Sequence, residues 1–123
     1  MRITRVITGS DGRSHFEEEE LAFTAQRPGA ELSAPIEVRS AVFRRSNQQA
    51  NDEIEALHVS AKRLLVVKLS GRTDIEVGDG SHRIFGPGSV HFLEDLSGEG
   101  HRGQLLSEDS LTLILELAPE APK

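Results

Sequence analysis

Five histidines and no cysteine decide which chemistries this chain can run. Without a thiol there is no cysteine nucleophile, no disulfide and no thiolate metal site, so proton transfer falls to imidazole, carboxylate and amine groups. Imidazole titrates nearest neutrality, which makes a histidine the natural general base. His58 and Ser60 alternate along the chain and so share one face of any strand that holds both. Ser60 reads either as a plain strand hydroxyl or as a contact to a substrate oxygen. Lys68 has the same parity as Ser60 and Leu64 and would turn inward. An inward ammonium needs a partner, such as Glu94 or an acidic ligand; a bulge or a snorkelling path to the rim is the alternative. Glu94-Asp95 precedes the glycine-rich run Gly98-Glu99-Gly100 that delivers His101. Adjacent carboxylates are ordinarily solvated turn residues, but here either one could orient His101 or act as acid or base. Alternation from Val90 puts either His91 or Phe92 inside, and His15 is a further candidate. His82 lies beside a hairpin tip and reads as exposed.

The elements that must position these groups are short strands. Leu64–Leu69 is apolar and β-branched, Ser70-Gly71 is a turn signal, and Thr73–Val77 alternates polar and apolar residues. Gly78-Asp79-Gly80-Ser81 supplies hairpin residues rather than a phosphate loop, since no helix follows it. His82–Phe85 returns, Gly86-Pro87-Gly88 turns a corner, and Val90–Leu93 starts again, leaving no room for crossover helices. Earlier, Arg2–Thr8 is a β-rich run closed by Gly9-Ser10-Asp11-Gly12, and Ser14–Phe23 suits either a helix or a strand. Its four consecutive glutamates read as a solvated sheet edge. Ala25–Pro35 is expected to be a loop turning at Pro28-Gly29, Val38–Phe43 a strand, and Ser46–Asp52 a polar loop at a binding mouth. Glu55–Val59 leads into the central stretch. Gln104–Ser107 and Leu111–Leu117 follow as strands, the last apolar on both faces and hence central, before a frayed tail at Ala118–Lys123. Eight to ten antiparallel strands with little helix are expected, in a single domain.

Composition narrows the function classes. A chain of 123 residues is large enough for one core, and 37% hydrophobic with 28% charged residues is ordinary for a soluble protein. A net charge of −6 argues against a nucleic-acid backbone as partner, and the absence of Trp and Tyr removes the usual base-stacking platforms. No apolar run matches a membrane span and no signal-peptide core opens the chain, so no membrane partner and a cytoplasmic location are expected.

On these residues the second half, His58–Leu117, resembles the cupin superfamily, whose members are antiparallel jelly-roll barrels carrying two motifs. The first motif runs from a glycine through an HxH pair and a glutamate to a second glycine. Anchored on Gly71, it places His58 and Ser60 at the HxH pair, Leu64 at the glutamate and Asp52 at the opening glycine. In the second motif Gly88 takes the leading glycine and Gly98-Glu99-Gly100-His101 the closing G-x-x-H. The proline is missing, the intervening segment is longer, and Leu105 replaces the asparagine. The resemblance implies a single cupin domain over 1–123, with a core barrel over about 36–117 and N-terminal strands within 1–24. It also implies a divalent metal (Fe, Mn, Zn or Ni) held by three histidines and a glutamate, of which only His58 and His101 remain as an incomplete set.

The resemblance implies a pocket rather than a reaction. The favoured reading is a small-molecule-binding barrel, with the pocket bounded by His58, Ser60, Lys68 and His101 and a small polar or acidic metabolite as ligand. If it turns its ligand over without metal, His101 or His58 is the base, Glu94 or Asp95 holds that ring, and Lys68 stabilises negative charge. A metal-dependent cupin enzyme of dioxygenase, decarboxylase or isomerase type, a non-enzymatic sensor or carrier, and a purely structural module stand beside it. Many small cupins pair through N-terminal strands, so a homodimer through the edge of Arg2–Thr8 is expected.

Overall fold

The computed structural model describes residues 1–47 and 57–119, and every regular element in them is a strand. There are eleven: β1 (Arg2–Thr8), β2 (Ser14–Glu20), β3 (Phe23–Arg27), β4 (Ala30–Ser33), β5 (Val38–Asn47), β6 (Leu64–Ser70), β7 (Thr73–Glu76), β8 (His82–Phe85), β9 (Val90–Glu94), β10 (Arg102–Leu105) and β11 (Asp109–Leu117). They hydrogen-bond into a six-stranded sheet in the order β2-β1-β9-β6-β11-β5, a three-stranded sheet β10-β7-β8 and the hairpin β3-β4. The protein is therefore all-β, as expected. Among the described residues its ladders form three open sheets rather than a closed barrel, and none of its elements is a helix able to cross a membrane.

Several expectations change. Ser14–Phe23 resolves as strand over Ser14–Glu20: β2 runs antiparallel to β1 with Phe16 opposite Val6, so its apolar residue joins an inner core while the glutamates stay on the sheet edge. Three of them find cations there, Glu18 with Arg83, Glu19 with Arg5 and Glu20 with the N-terminal ammonium. Ala25–Pro35 is not a loop throughout but largely the hairpin β3-β4 turning at Pro28-Gly29; with almost every residue exposed, it shows no alternation that would reveal a strand. β1 is not an edge. It lies between β2 and β9, so the open edges of the large sheet are β2 and β5, and β1 cannot add a second copy through its ladder. It runs parallel to β9, an exception to the antiparallel rule made possible by the long chain between them. β5 extends beyond the expected strand, taking in Ser46 and Asn47; the rest of the Ser46–Asp52 loop, like Glu55 and Ala56, lies outside the described residues. β10 ends at Leu105, short of Ser107. β11 is flanked on both sides, as its apolar character predicted.

Strand alternation gives the large sheet two faces. On one, Val6 packs with Ile75 and Phe85 of the three-stranded sheet and with Val77 just past β7, with Phe16 and Leu93 beside them. On the other, Ile3, Leu65, Phe92 and Leu117 form a second cluster with Leu21, Val90 and Leu115. The first face matters for function, because the two sheets part beyond this core and leave a cavity.

The connection from β9 to β10 crosses between the sheets and is tied from several sides. The fully buried Ser14 hydroxyl donates to the Gly100 carbonyl at 2.6 Å and accepts from the Gly78 amide at 2.8 Å. The Glu99 amide donates to the Gly12 carbonyl at 3.0 Å, and His58 and His101 exchange backbone hydrogen bonds of 2.8 Å each. Gly100 is required at the centre: its φ is +80°, and a Cβ there would sit 2.0 Å from the His58 carbonyl oxygen. Gly100→Ala is expected to cost more than about 2 kcal/mol in urea unfolding. Gly12→Ala, at φ +78° but with nothing near its Cβ, should cost only about 1–2 kcal/mol. Equal losses would show that the close approach to His58 carries no weight.

Candidate functional site

The cavity between the two sheets has a volume of about 320 Å³. Leu64, Val66 and Lys68 of β6 face it by strict alternation, and His91 and Leu93 do so from β9. Thr112 and Ile114 of β11, with Arg44 and Ser46 of β5, extend the same wall. Ile75, Phe85 and Leu105 of the smaller sheet form the opposite one, and His58, Ser60 and His101 close one end. Alternation therefore chooses His91 for the cavity and sends Phe92 to the other core.

Of the residues singled out by sequence, His58, Ser60, Lys68 and His101 come together on this cavity. Glu94 does not line it. It lies on the opposite face of β9, where Arg5 and Arg63 both bind its carboxylate, Arg63 Nε at 2.9 Å. Asp95, one residue later and past the end of the strand, turns the other way. Its Oδ2 accepts from His101 Nδ1 at 2.5 Å, and its side chain is 0% exposed. Of the two carboxylates offered by the sequence, Asp95 is the one that holds the imidazole. His15 lies elsewhere, bridging Asp11 and Asp79 at 3.0 Å each, and these two carboxylates, Asp11 foremost, raise its pKa. His82 is exposed, as expected, between Asp74 and Glu76.

The His101 ring, bonded through Nδ1 to a carboxylate that must accept, presents Nε2 as its remaining nitrogen. The His58 ring lies against it, centroids 4.9 Å apart and planes tilted by 50°. Ser60 is buried and already engaged: its hydroxyl donates to the Lys62 carbonyl at 2.5 Å, and its amide donates to the Asp95 carbonyl at 3.0 Å. It fixes the floor of the site near Asp95. Lys68 is only 6% exposed, and its ammonium donates to the Thr112 hydroxyl at 3.2 Å. Burial, and then the neighbouring Arg44 charge, hold it below the ordinary lysine range. A bulge at Leu69 of β6, where the register against β11 steps from Ser70–Leu111 to Lys68–Thr112, brings Thr112 level with Lys68. The sequence reading missed Arg44, Ser110 and Thr112; Ser46, expected in a loop at a binding mouth, lines the cavity from β5. Ser110, Thr112 and Ile114 do alternate within β11, but the leucines between them dominated the reading of that strand.

His91 is 5% exposed, its Nδ1 has no hydrogen-bond partner among the described residues, and its ring packs on Phe85 with centroids 4.2 Å apart. Burial first, then the charges of His101 and Lys68, drive its pKa from 6.5 to about 3. It stands in the cavity as a neutral imidazole.

A divalent metal of the kind the resemblance implies does not fit these donors. Leu64 offers only carbon to the cavity and the Ser60 hydroxyl is engaged with the Lys62 carbonyl, which leaves His58 and the Nε2 of His101 as the donors of the implied set. Lys68 and Arg44 bring positive charge to the same space, and among the described residues no three His, Asp or Glu side chains are grouped closely enough to hold a metal ion. Neither the models of known protein families nor the sequences of curated proteins match this chain. The class defined by fold and site is thus an all-β protein with an imidazole-lined, cationic cavity between two sheets.

His91 gives a pH signature. Its folded pKa is depressed, so between about pH 6.5 and 3 the unfolded chain binds the extra proton. Stability from this group is complete above that window and is lost as pH falls through it. Wild type should therefore lose stability on acidification more steeply than His91→Gln, by up to about one proton in slope, in urea titrations across that range. Parallel curves would mean that His91 protonates within the fold.

Proposed function

We propose that this protein is a jelly-roll cupin that binds a small polar or acidic metabolite between its sheets and moves a proton on it, with His101 as general base. One observation carries the reading: a buried carboxylate–imidazole pair, Asp95 Oδ2 to His101 Nδ1 at 2.5 Å, set on a cavity of about 320 Å³. A cavity at the small end of ligand-binding volumes suits a compact metabolite rather than a nucleotide sugar. Asp95 fixes the ring orientation and stabilises the positive charge it acquires on taking a proton, and Lys68 stabilises negative charge left on the substrate. The two facing sheets support the jelly-roll assignment, and so does the antiparallel bridge that joins His58 to His101 outside the strands.

A carrier without chemistry is the second reading, favoured by the apolar wall of Val66, Ile75, Phe85 and Ile114. The two part on proton transfer. Deuterium wash-in from D₂O at the acidic C–H of a panel of small oxo and hydroxy acids, followed by NMR, is expected with the wild type. It should fall by about 10²–10⁴-fold in His101→Asn. In Asp95→Asn, which cannot hold the Nδ1–H tautomer in the same way, exchange should fall by a comparable factor. Undiminished exchange in His101→Asn would remove the base role and leave the carrier.

A further inference from the structure

Lys68 is the feature that the acid–base pair leaves unexplained. A lysine 6% exposed, hydrogen-bonded to a single hydroxyl and facing no carboxylate among the described residues is costly to keep charged. The cavity around it repeats the imbalance. Its described lining includes Lys68, Arg44 and three histidines, and not one Asp or Glu, in a chain whose net charge is −6. The two carboxylates of the β9 end are turned elsewhere: Glu94 to Arg5 and Arg63 behind the sheet, Asp95 to His101. Among the described residues the lining thus lacks the one charge that its buried ammonium calls for.

We infer that the missing partner is the ligand, a compact monocarboxylate bound by Lys68 and the Thr112 hydroxyl, with neutral His91 contacting its second polar group. This deepens the small-metabolite reading and rests on it. The charge count selects the anion. One buried ammonium neutralises one negative charge, whereas a phosphate dianion would carry a second charge into an apolar space where Ile75, Phe85 and Leu105 face it. Phosphate sites also draw on helix N-termini, and no described element is a helix. Arg44, exposed on the edge strand yet lining the cavity, is placed to draw the anion in. His91 Nδ1 is buried with no partner among the described residues, so a hydroxyl or carbonyl next to the carboxylate would supply its hydrogen bond. Burial and Arg44 hold the Lys68 pKa down, and a bound carboxylate would oppose both effects.

Calorimetry on the full chain at pH 7 tests this with three probes of similar size: isobutyrate, the neutral isobutyramide and methyl phosphate. Isobutyrate should bind, and the amide and the phosphate should each bind roughly tenfold or more weakly. Lys68→Met should lose isobutyrate affinity by a similar factor while melting no lower than wild type, because it removes a buried charge that lacks a carboxylate. Should Lys68→Met fail to fold, Lys68→Gln, which can still bond Thr112, is expected to show the same loss. Isobutyrate affinity of wild type and Lys68→Met reads the carboxylate site, and deuterium wash-in reads the base role, so that failure of the one and failure of the other are told apart. Amide or phosphate binding as tight as the acid, undiminished affinity in the Lys68 variants, or no saturable isobutyrate binding up to about 0.1 M would overturn the inference.

Discussion

The arrangement depends on a buried hydroxyl. Ser14, at the start of β2, holds the Gly100 carbonyl on one side and the Gly78 amide on the other, joining the first hairpin, the β7–β8 connection and the crossing loop. That loop has no ladder of its own, so its backbone groups must find partners among its neighbours. Gly12, His58 and Ser14 supply them, with Gly100 as the residue that allows the approach. The result is a non-repetitive segment held rigidly enough to fix the Asp95–His101 contact on which the proposed chemistry rests.

Alternation along β9 sorts the charges. His91 and Leu93 turn to the cavity while Phe92 and Glu94 turn to the back of the sheet. On that back face Arg5 reaches both Glu19 and Glu94 and lies over the Phe92 ring, 4.2 Å from its centroid. Positive and negative groups are paired there, whereas the described lining of the cavity carries Lys68 and Arg44 and no Asp or Glu. The sheet therefore separates a neutralised network from a cationic hollow across the thickness of a single layer.

Much of this was legible in the sequence because the informative strands are amphipathic. Parity along Leu64–Lys68 was enough to turn Lys68 inward, and the turn residues from Gly78 to Gly88 marked the small sheet. What was not legible has a common cause. Glu94 and Asp95 are neighbours of the same chemistry, and only the end of β9, where period-2 alternation stops, decides which of them reaches His101. The β3–β4 hairpin escaped because it buries almost nothing and so carries no pattern. Arg44 and Thr112 escaped because cavity membership is set by pairing β5 and β11 with β6, a long-range register that local spacing does not encode. The placement of β1 between β2 and β9 likewise follows from a parallel pairing across the chain.

Arg44 stands on an open edge strand of a protein with net charge −6, so an approaching anion meets two opposed fields. Far from the surface it is repelled. Close to the mouth, nearer to Arg44 than to the carboxylates of β2 at the other edge of the sheet, it is drawn in. At physiological ionic strength the screening length is about 8 Å, short beside the width of a six-stranded sheet, so the distant repulsion fades while the local attraction survives. Salt at that level would thus hide the acidic exterior from the proposed anion and leave Arg44 in view.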